Sequence, residues 1–315
     1  MIISASRRTD IPNYYSEWFC NRIKEGFVCV RNPMNLHQVS KISLSPEAVD
    51  CIIFWTKNPK NMLDKLDVFK DIPYYFQFTV TPYGKEIERN IPDKKEIIIP
   101  TFKKLSDQLG SERVIWRYDP IFFSEKYTPE YHIRAFSHIA SDLRGYAEKC
   151  VISFVDVYRK NRKSLEQAGA NIPDEYFLMS FCKQLKEIAD SNDMQLATCT
   201  EKLDLSSVGV AHNSCIDKEL IEHLIGCKLN VKKDGNQRED CRCVESVDIG
   251  AYNTCMNLCS YCYANFSYDA VLKNQLEHDV HSPLLCGNIV PGDKIYDKKT
   301  VSNKEKFEQL NLWDL

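Results

Sequence analysis

The sequence predicts an α/β protein built as a complete or partial β/α barrel of the TIM type. Short apolar runs rich in β-branched and aromatic residues alternate along the chain with longer helix-like stretches. Strands that alternate with helices indicate a parallel sheet. The number of such runs, and the polar residues that follow most of them, favour a barrel over an open sheet.

Seven strands and five helices are expected in this alternation. The predicted strands are residues 2–6, 51–55, 75–80, 114–118, 150–155, 194–198 and 246–252. The predicted helices are residues 14–25, 94–109, 128–143, 173–192 and 218–225. A hairpin is also expected at 28–31 and 39–43, outside the alternating series.

The length of 315 residues fits one large domain or two modest ones, because domains typically contain about 100–200 residues. We expect residues 1–270 to form a single β/α barrel that includes the cysteine-rich block at 199–262. Residues 271–315 are expected to form a tail that packs on this barrel.

Charge and hydrophobicity exclude several classes of protein. With 41 basic and 44 acidic side chains, the formal net charge is −3, so the overall charge does not indicate nucleic-acid binding. No apolar run approaches the roughly 18 residues of a membrane span. The first apolar run is also too short for a signal peptide. We therefore expect a cytoplasmic protein that does not enter membranes.

Polar residues follow six of the predicted strands, in segments 6–10, 55–59, 79–83, 116–120, 153–158 and 198–201. In β/α barrels the active site forms at the carboxyl ends of the strands. A lone carboxylate in such a position can equally cap the next helix. The candidate binding residues at these ends are Arg7, Arg8, Asp10, Arg117, Asp119, Asp156 and Glu201.

Cysteine is abundant, with 14 residues, and nine of them lie after residue 198. Because cytosolic thiols stay reduced, disulfides are the weaker explanation for this concentration. Ligation of a metal or an iron–sulfur cluster is the stronger one.

Cys255, Cys259 and Cys262 form a Cys-x3-Cys-x2-Cys motif, with Tyr261 directly before the last cysteine. Three thiolates at this spacing can bind one 4Fe–4S cluster and leave one iron without a protein ligand. Ferredoxin clusters use four cysteines at different spacings. A structural zinc site also has four ligands, so zinc binding would require a fourth residue from elsewhere.

This motif resembles the signature of the radical S-adenosylmethionine (radical SAM) superfamily. The resemblance implies that the three cysteines hold a 4Fe–4S cluster and that Tyr261 packs near the adenine of S-adenosylmethionine. It implies an enzyme that cleaves S-adenosylmethionine reductively to a 5′-deoxyadenosyl radical, which then acts on an unknown substrate. It also implies a reductant such as flavodoxin or ferredoxin. The alternative is a zinc- or iron–sulfur-binding module for electron transfer or for recognition of nucleic acid or protein.

The motif usually follows the first strand in that superfamily, whereas here it follows the last predicted strand. A circularly permuted barrel reconciles the two arrangements. Strand 246–252 would then take the place of the usual first strand and lie beside strand 2–6. Arg7, Arg8 and Asp10 would consequently lie near S-adenosylmethionine.

The whole chain also resembles domain-of-unknown-function family 1848. The matching stretches are 6–12, 54–59, 117–120 and the C-terminal cysteine block. This family supplies no substrate.

A second set of cysteines precedes the triplet and consists of Cys199, Cys215, Cys241 and Cys243. Together these four thiols could bind an auxiliary 4Fe–4S cluster or a zinc ion. The alternative is that Cys199 is a buried apolar residue and that the Cys-x-Cys pair is incidental.

Overall fold

Eight parallel strands form the central sheet of the computed structural model, which describes residues 1–171 and 173–305. Their spatial order is β10-β1-β4-β5-β6-β7-β8-β9. The strands of this sheet are β1 Ile2–Ala5, β4 Cys51–Thr56, β5 Tyr74–Thr79, β6 Val114–Ile121, β7 Lys149–Phe154, β8 Gln195–Cys199, β9 Ala211–Asn213 and β10 Val247–Asp248. All seven predicted strands are therefore present, and β9 is an additional one.

The sheet is open, because β10 and β9 are its two edges and do not pair with each other. The predicted α/β class with a parallel sheet is confirmed, whereas closure of that sheet into a complete barrel is not shown. The physical reason lies in the length of the two edge strands. β9 contains three residues and β10 contains two, so neither provides the ladder of hydrogen bonds that closure requires.

β10 lies beside β1, as the permuted arrangement predicts. The pairing is parallel, with Ile3 opposite Val247 and Ser4 opposite Asp248. On the other side of β1, each strand pairs with the next strand of the sheet along the chain, from β4 to β9. The loop that carries the cysteine triplet therefore begins at the same edge as the segment after β1.

The helices lie mostly between successive strands of the sheet. They are α1 Ile11–Tyr14, α2 Ser16–Glu25, α3 Ile99–Leu109, α4 Pro129–Leu143, α5 Arg162–Gln167, α6 Glu175–Ser191, α7 Lys218–Ile225 and α8 Tyr268–Leu276. The five predicted helices are confirmed, although the first begins at Ser16 and a π-helical turn, Lys94–Ile98, precedes α3. A 3₁₀ segment at Pro59–Phe69 was not predicted.

The two faces of the sheet are covered differently, because successive side chains of a strand point to opposite faces. Ile52 and Phe54 belong to the large core that packs under the helices. Cys51 and Ile53 face a second apolar cluster, formed with the segment at 215–244. The cysteine-rich segment thus covers the face of the sheet that the helices of the large core leave free.

The predicted hairpin is confirmed as an antiparallel pair, β2 Phe27–Asn32 and β3 Asn35–Ser43. A further strand, β11 Lys294–Asp297, pairs with β3 in parallel. The buried indole of Trp18 donates a 2.9 Å hydrogen bond to the carbonyl of Ser282, so the chain after α8 contacts α2 as well. Within the described residues, no helix combines the length and the apolar character that crossing a bilayer requires.

Candidate active site

Two adjoining cavities lie at the carboxyl ends of the strands. The first, of about 140 Å³, is bounded by the segments after β1 and β4 and by the cysteine loop at 255–265. The second, of about 450 Å³, is bounded by the ends of β6, β7 and β8 and by the segment at 236–243. The residues that line both cavities are Arg7, Trp55, Lys57, Thr79, Tyr261 and Cys262. The polar strand ends singled out in the sequence therefore face one connected region.

The three cysteines of the triplet all line the first cavity. The backbone N–H of Cys262 donates to the carbonyl of Cys259 at 3.1 Å, which folds the loop tightly between these two residues. Burial raises the pKa of Cys255 to about 12 and that of Cys259 well above its ordinary value. The thiols are therefore neutral as they stand, and binding of a metal must release their protons.

Asp248 fastens the beginning of the cysteine loop to the end of β1. Its carboxylate accepts hydrogen bonds from the hydroxyls of Ser4 and Ser6, at 2.7 and 2.8 Å. It also accepts from the backbone N–H groups of Arg7 and Gly250, at 2.8 and 2.9 Å. Four donors on one carboxylate hold the two chain segments together at the floor of the site.

This close approach requires glycine at position 250. A Cβ atom added there would lie 2.7 Å from the Cβ of Ser6 and would clash with its hydroxyl oxygen. We expect Gly250→Ala to lower the free energy of unfolding by about 1–3 kcal/mol, because the loop or the end of β1 must move. Urea denaturation measures this loss.

The matched control is Gly235→Ala, where the added Cβ meets no atom within 4 Å. It should leave the urea midpoint almost unchanged. Because the clash involves Ser6, a double-mutant cycle with Ser6→Gly should show that Gly250→Ala costs less when Ser6 is absent. Equal losses for the two glycine variants would contradict the close-packing explanation.

The middle of the cysteine loop is held by the segment at 84–91, which follows β5. The N–H of Ser260 donates to the carbonyl of Ile87 at 2.8 Å, and the Asn90 amide donates to the carbonyl of Met256 at 2.7 Å. The hydroxyl of Tyr261 donates to Glu88 in the same segment. Tyr261 is therefore fixed as a wall of both cavities.

Glu88 is the buried anion of this region, with 1 % of its surface exposed. Its carboxylate lies 2.8 Å from the Lys57 ammonium and 2.6 Å from the Lys94 ammonium, and accepts from the Thr81 hydroxyl at 2.7 Å. Burial alone would raise its pKa, but the two ammonium groups outweigh burial and lower the pKa of Glu88 to about 2. Sequence reasoning missed Glu88, because its segment carries neither periodicity nor a motif.

Asp10, a predicted binding residue, has its carboxylate occupied by the protein itself. It accepts from the backbone N–H of Asn13 at 3.1 Å and so caps α1, which is the alternative that the sequence left open. It also accepts from the Lys57 backbone at 2.8 Å and from the Asn257 side chain at 2.9 Å. Asp10 thereby ties the ends of β1 and β4 to the cysteine loop.

Arg7 and Arg8 follow β1, and their guanidinium groups pack on different aromatic rings. The Arg7 guanidinium lies 5.3 Å from the centre of the Trp55 ring and faces both cavities. Arg8 lies 5.0 Å from the centre of the Tyr252 ring and lines only the first cavity. Both residues are partly exposed, and the Arg8 guanidinium also lies 3.9 Å from the Asp248 carboxylate.

Arg117 and Asp119 form an ion pair at the end of β6, on the wall of the second cavity. Asp156 lies at the exposed rim of the same cavity and pairs with Arg238. Glu201 lines neither cavity. It accepts a 2.7 Å hydrogen bond from the N–H of Phe154, and burial raises its pKa to about 7.

The second cysteine set also comes together in space. Cys199 ends β8, Cys215 follows β9, and Cys241 and Cys243 precede β10, yet all four line the second cavity. The sulfur atoms of Cys199 and Cys215 are 2.7 Å apart. The 14 cysteines are free thiols.

Across residues 1–171 and 173–305, no three or more His, Cys, Asp or Glu side chains are already arranged to hold a metal ion. The donor chemistry nevertheless fits thiophilic metals, because two groups of thiols line the cavities and cationic side chains stand beside them. Lys57 opposes the rise in the pKa of Cys259, and Arg117 does the same for Cys215. Such cations favour bound thiolates.

The fold and the site define an α/β protein in which two cysteine groups face cavities at the carboxyl ends of a parallel sheet. Residues 2–264 match the family described as a domain of unknown function, DUF1848, and the chain belongs to this family. The match spans β1 to β10 and includes both cysteine groups. No curated protein matches the sequence.

Proposed function

We propose that this protein is a radical SAM enzyme whose 4Fe–4S cluster is held by Cys255, Cys259 and Cys262. The observation that carries the proposal is the position of this Cys-x3-Cys-x2-Cys loop. All three cysteines line one small cavity that opens beside a larger one at the carboxyl ends of a parallel sheet. That edge is where α/β proteins of this kind bind their ligands.

A bound cluster would pass one electron from the reductant to S-adenosylmethionine, which would break the S–C5′ bond and give methionine and a 5′-deoxyadenosyl radical. The chain itself provides the ligands and the electrostatic environment. Lys57 is largely buried beside the cysteine loop and contributes positive charge that favours ionised thiols. The hydrogen bonds from segment 84–91 keep the loop in place.

S-adenosylmethionine would occupy the first cavity and the passage to the second. Arg7 and Arg8 offer guanidinium groups for its carboxylate, and such pairs are often bidentate. Trp55 and Tyr261 offer aromatic surface for the adenine, because they line both cavities. Asp10 would act indirectly by holding the loop, since its oxygens are occupied.

The substrate would enter the second cavity, whose polar wall includes Asp119 and, at the rim, Asp156. A reductant such as flavodoxin or ferredoxin would deliver the electron to the cluster. The geometry does not select one substrate, because radical SAM enzymes share the initiating cleavage and differ in the later reaction of the radical.

The decisive experiment is anaerobic reconstitution with iron and sulfide, followed by reduction with dithionite in the presence of S-adenosylmethionine. We expect about four irons per chain at the triplet and formation of 5′-deoxyadenosine, measured by mass spectrometry. The electron paramagnetic resonance spectrum of the reduced cluster should change when S-adenosylmethionine is added, even without substrate. A reduced cluster with an unchanged spectrum and no 5′-deoxyadenosine would contradict the proposal, and a colourless zinc protein would indicate the binding-module alternative.

A further inference from the structure

The second cysteine set lies on the sheet face opposite the main core, where segment 215–244 covers the strands. Its members come from three separate parts of the chain and converge on one wall of the second cavity. We propose that Cys199, Cys215, Cys241 and Cys243 form a second metal centre with four thiolate ligands. This centre is separate from the triplet and does not rest on the radical SAM function.

The sulfur atoms are close neighbours although the residues are distant in sequence. The sulfur atoms of Cys199 and Cys215 are 2.7 Å apart. Cys215, Cys241 and Cys243 belong to one buried cluster, and Cys199 packs against that cluster. The four thiols therefore form one continuous group. Three of them, Cys215, Cys241 and Cys243, are buried, and Cys199 is partly exposed to the cavity.

Hydrogen-bond donors and positive charge surround this group. Arg117 is buried and its Nη1 lies 2.8 Å from the sulfur of Cys215. The N–H of Ile216 points at the sulfur of Cys243 from 3.4 Å, and Arg7 lies close enough to interact electrostatically with Cys215 and Cys243. Four thiolates around Zn²⁺ carry a net charge of about −2, and a 4Fe–4S²⁺ cluster with four thiolates carries the same. The two guanidinium groups would offset part of that charge.

The Cys199 and Cys215 thiols contact each other directly, and the described residues contain no preformed metal site. Metal binding then requires loss of the thiol protons and rotation about each Cα–Cβ bond. In a tetrahedral zinc site the sulfur atoms lie about 3.8 Å apart, because each Zn–S bond is about 2.3 Å. The sulfur atoms of Cys199 and Cys215, now 2.7 Å apart, would therefore move apart by about 1 Å.

A metal at this position would link segment 215–244 to the end of β8. The same segment contributes Ile216 and Val244 to the apolar cluster on that face of the sheet. The metal centre would also form part of the wall of the second cavity, which Arg7 and Arg117 line as well. Zinc and an iron–sulfur cluster use the same four thiolates, and elemental analysis distinguishes them.

The test uses the full chain with the three triplet cysteines replaced, Cys255→Ala/Cys259→Ala/Cys262→Ala. Any metal that this triplet variant binds cannot be held by those three thiols. The protein is analysed for zinc, iron and sulfide both as purified and after anaerobic reconstitution. We expect about one zinc, or about four irons with about four sulfides, per chain. Adding Cys241→Ala and Cys243→Ala should remove this metal, whereas adding Cys182→Ala, a buried thiol in α6, should not.

A second readout covers the case in which the combined variant does not fold. Cobalt(II) added to the triplet variant should produce the sulfur-to-metal charge-transfer and visible bands of tetrahedral thiolate coordination. The single change Cys241→Ser should shift these bands. The second centre would be overturned if the triplet variant bound no more metal than the variant with all five Cys→Ala changes and also gave no thiolate–cobalt bands. That result would leave the proposed function untouched.

Discussion

Under the proposed radical SAM function, Cys259→Ala is expected to abolish formation of 5′-deoxyadenosine and to remove most of the iron that reconstitution places at the cysteine loop. Alanine cannot ligate iron, and the two remaining thiolates of the triplet leave half of a cubane without protein ligands. The backbone of Cys259 keeps its pairing with Glu88, since alanine retains the N–H and the carbonyl. The variant should therefore fold, and mass spectrometry together with iron analysis measures the loss.

The matched control is Cys227→Ala, another partly exposed thiol, which lies just after α7 and lines neither cavity. It should retain both iron and product at the level of the unchanged protein. If Cys259→Ala produced 5′-deoxyadenosine at an undiminished rate, the triplet could not be the site of S-adenosylmethionine cleavage.

Glu88→Ala should be the most damaging single change in stability around the site, with a loss of about 3–5 kcal/mol in the free energy of unfolding. Removing one partner of a buried ion pair leaves the other charge unpaired in a poorly solvated place. Here two ammonium groups, those of Lys57 and Lys94, would lose their anion at once. The Tyr261 hydroxyl would also lose its acceptor, so the cysteine loop should loosen. Urea denaturation measures the loss of stability, and the iron retained after reconstitution measures the loosening of the cysteine loop.

Asp190→Ala provides the control for Glu88→Ala, because it breaks an exposed ion pair with Lys186 within α6. Such pairs contribute about 0.3–0.5 kcal/mol. Glu88→Gln should give an intermediate loss, since the amide retains hydrogen bonds but not the charge. Similar losses for Glu88→Ala and Asp190→Ala would mean that the buried network contributes little.

The strand order could be predicted because it depends on local patterns that recur along the chain. Apolar runs separated by helices define β1 and β4 to β8, and parallel crossovers place neighbours side by side. The openness of the sheet could not be predicted. The run at 246–252 reads as a strand of seven residues, but only Val247 and Asp248 pair with β1, and Gly250 packs against Ser6 just beyond them.

The site was predictable where a motif or a strand end marked it. Arg7, Arg117 and both cysteine groups meet as the polar strand ends suggest. The sequence allowed Asp10 to cap α1, as it does. The contacts of Asp10 with Lys57 and Asn257, and that of Glu201 with Phe154, could not be read from sequence, because these partners lie in other segments. No sequence motif marks Glu88 as a site residue. Its role becomes visible only in the structure, where it is buried between Lys57 and Lys94.

The pairing of β10 with β1 also has a consequence for biosynthesis. Every other pair in the sheet joins strands that are consecutive within it along the chain, whereas Ile3 and Val247 are separated by almost the whole sheet in sequence. During translation the N-terminal parts of a chain emerge first, and contacts between distant residues are slow to form. β1 to β9 are therefore available to assemble before the strand that leads into the triplet leaves the ribosome. The cysteine loop can then close onto a sheet that is already in place, so we expect ordering of this loop to be a late step in folding.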